Sequence, residues 1–192
     1  AQKFARECIG TNNIDSTARM ELAGGLGLWS RLFSLPISIK EIARADVILA
    51  VGLDSRFNFS VVGTKVRKAL DAGAKLVTID PYDSNLAGYT DDWLGPAPGK
   101  EGALLKLFAD RLAGRKADAS AAAAEAGVDK DKLEKALAII SSGHEPTVII
   151  GPRVFHYSDG ADLADGLMTL AGTKKVNIIP LNFGANARGA LE

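Results

Sequence analysis

Short, uninterrupted apolar runs alternate along the chain with longer stretches of helical periodicity, and this pattern constrains the fold more than any other feature. Asp46-Val47-Ile48-Leu49-Ala50-Val51-Gly52, Lys75-Leu76-Val77-Thr78-Ile79, Thr147-Val148-Ile149-Ile150-Gly151 and Val176-Asn177-Ile178-Ile179 are rich in β-branched residues and lack polar alternation. A strand of that composition is covered on both faces. Covering both faces of a sheet requires helices as the crossovers between parallel strands. The expectation is an α/β fold: a three-layer α/β/α arrangement around a mainly parallel, Rossmann-like sheet of four strands. All-helical and sandwich architectures are excluded.

The stretches between the runs supply those helices. Ser38-Ile39-Lys40-Glu41 has the pattern of a capping box. Residues 61–72 place Val62, Val66, Ala69 and Leu70 on one face, and Gly73 sits where a helix stop belongs. Residues 101–113 turn Leu104, Leu105, Phe108 and Leu112 inward, residues 117–126 are alanine-rich, Asp129 caps a helix through Ile140, and residues 161–171 form the last helix. The chain divides into a first α/β half (1–113), an Ala-rich connection (114–127) and a second half (128–192). A first helix begins at Gln2, and Cys8 beside Ile9 reads as a packed thiol on it. The absence of an initiator Met and the start inside a helix suggest a piece of a longer protein.

Composition removes several classes of function. The 23 basic and 23 acidic residues give zero net charge with no basic run, so the electrostatic footprint of a nucleic-acid binder is missing. A single cysteine rules out an internal disulfide and a thiolate-ligated cluster built by this chain alone. The longest apolar run, Val47–Val51, is far shorter than the roughly 18 residues of a membrane span. These features read as a cytoplasmic chain.

Ligands of open α/β sheets bind beyond the carboxyl ends of the strands. Two loops stand there. In Gly52-Leu53-Asp54-Ser55-Arg56 the glycine permits close backbone approach, Asp54 could accept from a base or ribose, and Arg56 could meet a phosphate. In Asp80-Pro81-Tyr82-Asp83-Ser84, Asp80 follows its strand as a ribose-binding acid would. Both loops also read as plain polar connectors. Gly24-Gly25-Leu26-Gly27 follows a helical stretch rather than a strand and lacks the context of a dinucleotide fingerprint. His144 and His156 have no triad partners at recognisable spacing and read as loop histidines.

Several segments carry a family resemblance. Lys3-Phe4-Ala5-Arg6, Gly10-Thr11-Asn12-Asn13-Ile14-Asp15 and Ala18-Arg19 resemble the region of molybdopterin-dependent oxidoreductases, formate dehydrogenases above all, just beyond their N-terminal iron–sulfur cluster. Residues 45–52, Gly73-Ala74-Lys75-Leu76, Asp80-Pro81 and Pro98-Gly99-Lys100-Glu101-Gly102-Ala103-Leu104-Leu105 resemble successive segments of the same family, in order and spacing. Pro180-Leu181, Asn186 and Gly189-Ala190-Leu191 are similar to the large iron–sulfur subunit of NADH:quinone oxidoreductase (respiratory complex I). The resemblance implies molybdopterin guanine dinucleotide as the family cofactor, with Gly52, Asp54, Ser55, Arg56, Asp80, Tyr82 and Asp83 as candidate guanine-nucleotide loops. It also implies iron–sulfur clusters in preceding sequence and partner subunits of a respiratory or formate-oxidising complex, peripheral to the inner membrane.

The departures from the family pattern are as informative. After Ala18-Arg19-Met20, the metal-ligand position of formate dehydrogenases holds Glu21, and the neighbouring histidine position holds Leu22. The Pro of the first nucleotide loop is Ser55, the Arg after Asp-Pro is Tyr82, and the following Thr-Ala is Leu86-Ala87. Metal ligation, proton transfer and anion binding would each lose a group. The expectation is a domain with no metal site and no cofactor of its own, catalytically inactive in isolation. It would be a scaffold supporting electron transfer through clusters held elsewhere, in a protein similar to that large complex I subunit. The competing expectation is an active molybdopterin oxidoreductase domain with Glu21 near the metal.

Overall fold

The computed structural model describes residues 2–15, 26–33, 38–56, 58–156, 160–173 and 176–182. A short helix α1 (Gln2–Phe4) continues as a π-helix, Ala5–Ile9, closed by Gly10 in the left-handed conformation. Helix α2 (Leu26–Phe33) follows, then a 3-10 helix, Ile39–Arg44. Ser38 opens the latter by accepting from the Lys40 N–H at 3.3 Å, while Glu41 turns to Arg44 instead of completing a capping box. The rest is strand β1 (Val47–Val51), α3 (Ser60–Asp71), β2 (Lys75–Ile79), β3 (Asp92–Leu94), α4 (Glu101–Leu112), α5 (Ala119–Ala126), α6 (Lys130–Ser141), β4 (Thr147–Ile150), α7 (Gly160–Gly172) and β5 (Asn177–Pro180).

The five strands form one all-parallel sheet in the order β3-β2-β1-β4-β5. Register is set by the apolar runs: Ile48 lies opposite Leu76 and Thr147, and Val148 opposite Ile178. The four expected strands are all present, and β3 is a fifth that sequence reading missed. It lies at the β2 edge, held in part by Asp91, whose Oδ2 accepts from Leu76 N–H at 2.9 Å.

Alternate side chains of each strand enter two separate cores, as a sheet with helices on both faces requires. Leu49, Val51, Val77, Ile79, Val148 and Ile150 pack with Leu104, Phe108, Leu133, Leu137 and Leu167 from α4, α6 and α7. Ile48, Ala50, Leu76 and Ile149 pack on the other side with Ile42, Val62, Val66 and Ala69 from the 3-10 helix and α3. Each such buried Leu, Ile, Val or Phe side chain contributes roughly 1.5–3 kcal/mol. Asp118 and Asp129 cap α5 and α6 through backbone N–H groups at 2.8 Å. Ala119, Ala123 and Ala126 bury one face of the Ala-rich helix against the first core. Helices α4 and α7 approach closely because Gly166 has no side chain: a Cβ there would stand 3.1 Å from the Lys106 Cα.

One side-chain expectation fails. Cys8 is exposed, as is its neighbour Ile9, because the π-helix packs neither against a core among the described residues.

Candidate functional site at the carboxyl edge of the sheet

From β1 the chain winds outward through β2 and β3, then returns to the other side of β1 for β4 and β5. The loops after β1 and β4 therefore diverge, which opens a crevice between them. Two glycines stand where the loops part. Gly52 donates to Ile79 O at 2.9 Å and Gly151 to Val51 O at 2.7 Å. Gly52 has φ +60°, and a Cβ on it would run into the Val154 side chain, whereas a Cβ on Gly151 would overlap the Gly52 carbonyl. Above them lies a cavity of about 180 Å³ lined by Gly52, Leu53, Asp54, Asn58, Phe59, Pro152 and Arg153. Phe59, at the start of α3, has φ +58°, the one positive φ outside glycine among the described residues, and gives the helix no side-chain cap. A side chain in that conformation costs on the order of 1 kcal/mol.

The structure brings the two expected loops together. Arg56 donates through Nε to both Asp54 oxygens at 3.1 and 3.2 Å and through Nη2 to Oδ2 at 2.7 Å. The same Nη2 reaches the Asp83 carbonyl at 3.2 Å. Hydrogen bonding from Arg56 holds the Asp54 carboxyl below the usual carboxylate range. Ser55 is buried and clamped to the second loop: its N–H donates to Asn85 Oδ1 at 2.9 Å and its Oγ accepts from Asn85 Nδ2 at 2.8 Å.

Asp80 is 2% exposed. Its Oδ1 accepts from Tyr82 N–H at 3.0 Å, its Oδ2 from Arg153 Nη2 at 2.6 Å, and its carbonyl from Trp93 Nε1 at 2.9 Å. Burial nevertheless raises its pKa, outweighing the Tyr82 N–H and the Arg153 charge. The Arg153 guanidinium also lies over the half-exposed Tyr82 ring, 5.9 Å from its centroid. Glu101, at the first position of α4, is buried within electrostatic reach of both Asp80 and Arg153. Burial raises its pKa, against hydrogen bonds from its own N–H and that of Gly99, and the Asp80 charge raises it further.

Sequence reading missed Arg153 and Glu101. Arg153 was accessible by the rule that selected the other loops, since it follows Gly151-Pro152 at the end of β4. The burial of Glu101 has no sequence signal, because an acid in the first turn of a helix is ordinary. Glu21 and Leu22 lie outside the described residues, as do Gly24 and Gly25, while Gly27 falls inside α2. His144 is exposed at the amino end of β4, away from the cavity, its N–H donating to Asp46 Oδ2 at 2.7 Å; the His156 side chain is outside the described set. Among the described residues no group of three His, Cys, Asp or Glu could hold a metal ion, and no helix is long and apolar enough to cross a membrane.

An all-parallel doubly wound sheet with its cavity at the strand-order reversal defines a doubly wound α/β domain, the class in which that edge is the usual ligand crevice. The molybdopterin oxidoreductase profile matches residues 1–190, so this chain belongs to the molybdopterin oxidoreductase family. The F420-dependent formate dehydrogenase subunit alpha of Methanocaldococcus jannaschii is 26% identical across the whole of this chain, which corresponds to 33% of that protein. Formate dehydrogenase H of Escherichia coli is 32% identical over 56% of this chain and 15% of its own length. Acetylene hydratase from Pelobacter acetylenicus has a similar fold, with a TM-score of 0.64 and 16% identity over 81% of this chain and 25% of the hydratase. The chain thus spans a third or less of these relatives.

The dinucleotide form of the cofactor that the sequence resemblance implies would carry a pyrophosphate, and the described residues of this edge do not fit one. Arg56 is committed to Asp54 and Arg153 to Asp80. The carboxylates of Asp54, Asp80 and Glu101 outnumber those two arginines at the crevice. An entering polyanion would find both guanidinium groups already paired with carboxylates.

Proposed function

We propose that this chain is a molybdopterin-oxidoreductase domain retained as a scaffold in a protein like the large iron–sulfur subunit of NADH:quinone oxidoreductase. It would support electron transfer through iron–sulfur clusters held elsewhere in its chain or in partner subunits. The observation that carries this reading is the internal neutralisation of both crevice arginines, by Asp54 and by Asp80. Glu21, Leu22 and Tyr82, at positions where the family resemblance expects a thiolate or selenolate, a histidine and an arginine, point the same way. A carboxylate in place of a soft ligand changes the metal's electronics, and a leucine cannot accept a proton.

The test is elemental analysis of the full-length protein expressed with ample molybdate, together with the Glu21→Ala variant. The scaffold reading expects no stoichiometric molybdenum and redox activity indifferent to the substitution. The match of the formate dehydrogenase subunit alpha across the whole chain favours a second reading, an active formate-dehydrogenase-like domain. One molybdenum per chain, or activity abolished in Glu21→Ala, would establish that reading and overturn the first.

A further inference from the structure

The Arg153 guanidinium lines the crevice cavity and is one-third exposed, whereas the Asp80 carboxylate that binds it is almost completely buried. The guanidinium therefore has one side on the cavity and the other on a fixed internal anion. It is also oriented by the Tyr82 ring. Asp80 is held independently of Arg153, by the Tyr82 N–H and by the Trp93 indole on its carbonyl. It would keep its place if Arg153 turned away.

We propose that Asp80 is a built-in competitor for anions: its carboxylate occupies the Arg153 guanidinium as a ligand phosphate would, and so holds the crevice closed to phosphate-bearing ligands. The proposal deepens the scaffold reading and rests on it. It reverses the role that strand-end position alone suggests for Asp80, that of a ribose acceptor. The two roles make opposite predictions for one isosteric substitution. Asp80→Asn keeps an acceptor for the Tyr82 N–H but removes the charge, so Arg153 becomes available to a phosphate. If Asp80 instead contacts the sugar, the same change weakens binding.

The experiment titrates inorganic pyrophosphate, GDP and uncharged guanosine into the 192-residue chain and its variants, by calorimetry and by backbone amide shifts of residues 52–56, 80–83 and 151–154. Pyrophosphate and GDP should bind Asp80→Asn at least about tenfold more tightly than the wild type, the scale of one charge-assisted hydrogen bond. The Asp80→Asn/Arg153→Gln double variant should lose that gain, and guanosine should not distinguish Asp80→Asn from the wild type. Unchanged or weakened GDP binding in Asp80→Asn, a gain that survives in the double variant, or loss of guanosine binding would each overturn the proposal. Should circular dichroism show Asp80→Asn unfolded, Asp80→Ser, which also offers an acceptor to the Tyr82 N–H, takes its place with the same expectations. Failure here leaves the scaffold reading standing, because that reading is decided by molybdenum content and not by anion affinity.

Discussion

Replacing Gly151 with alanine tests the geometry on which the crevice depends. A Cβ at this position would fall onto the Gly52 carbonyl oxygen, 2.5 Å from its carbon and 3.0 Å from Leu53 N. All three are backbone atoms, so no side chain can rotate away. The end of β4 would have to move from β1, straining the Gly151 N–H bond to Val51 O. Overpacking of a side chain against fixed atoms costs roughly 1–3 kcal/mol, and with backbone on the receiving side about 3 kcal/mol is expected. Gly127→Ala supplies the control. Gly127 has φ +70° and nothing within 4 Å of its would-be Cβ, so that change carries only the left-handed strain of an alanine, about 1 kcal/mol. For a chain of this size 1 kcal/mol corresponds to roughly 2–4 °C in Tm, which separates the variants by several degrees. Urea unfolding and thermal melts followed by circular dichroism measure both. A Gly151→Ala protein no less stable than Gly127→Ala would refute the close approach of the β1 and β4 loops.

Glu101→Gln is expected to stabilise the fold at neutral pH. The folded-state pKa of Glu101 is raised above the ordinary 4.5 because burial penalises the charged form. The wild type therefore loses stability as pH rises from that value through the folded pKa, while the glutamine variant does not. Urea midpoints should differ at neutral pH and converge as pH falls toward 4.5; a constant offset would contradict the assignment. Cys8, the chain's one cysteine, is exposed. A thiol-disulfide reagent should titrate one thiol in the native protein about as fast as in urea, and a native rate lower by orders of magnitude would show Cys8 to be packed.

Much of the fold is legible because strands buried on both faces favour the short, mostly apolar β-branched runs seen at Val47–Val51, Lys75–Ile79 and Thr147–Ile150. Strand β3 was not legible, since Asp92-Trp93-Leu94 is neither long nor continuously apolar. Its position comes from side chains reaching across sequence: Thr90 Oγ1 to Leu76 O at 2.8 Å, Asp91 to Leu76 N–H, and Trp93 Nε1 to Asp80 O. Cys8 was misread because an apolar neighbour suggests a core only where a core is within reach, and Ile9 is itself 62% exposed.

The site divides along the same line between local and long-range information. Gly52, Asp54, Arg56, Asp80 and Tyr82 were identifiable from their strand-end positions. What those residues do to one another was not, because Asp80 and Arg153 are 73 positions apart and nothing local couples them. The consequence is functional. A glycine-bearing loop flanked by an acid and an arginine reads as a phosphate site when each residue is taken alone. It reads as a closed one once each guanidinium is found beside a carboxylate. The two pairs differ in how hard they would be to open. Asp54–Arg56 is open to water, with Arg56 half exposed, so salt and competing anions screen it readily. In Asp80–Arg153 the acid is buried, and withdrawing the cation would leave a buried carboxylate without a counter-ion beside Glu101. An anion entering this crevice would therefore displace the exposed Asp54–Arg56 pairing more easily, and the Arg153 side of the cavity would yield only when Asp80 is neutralised.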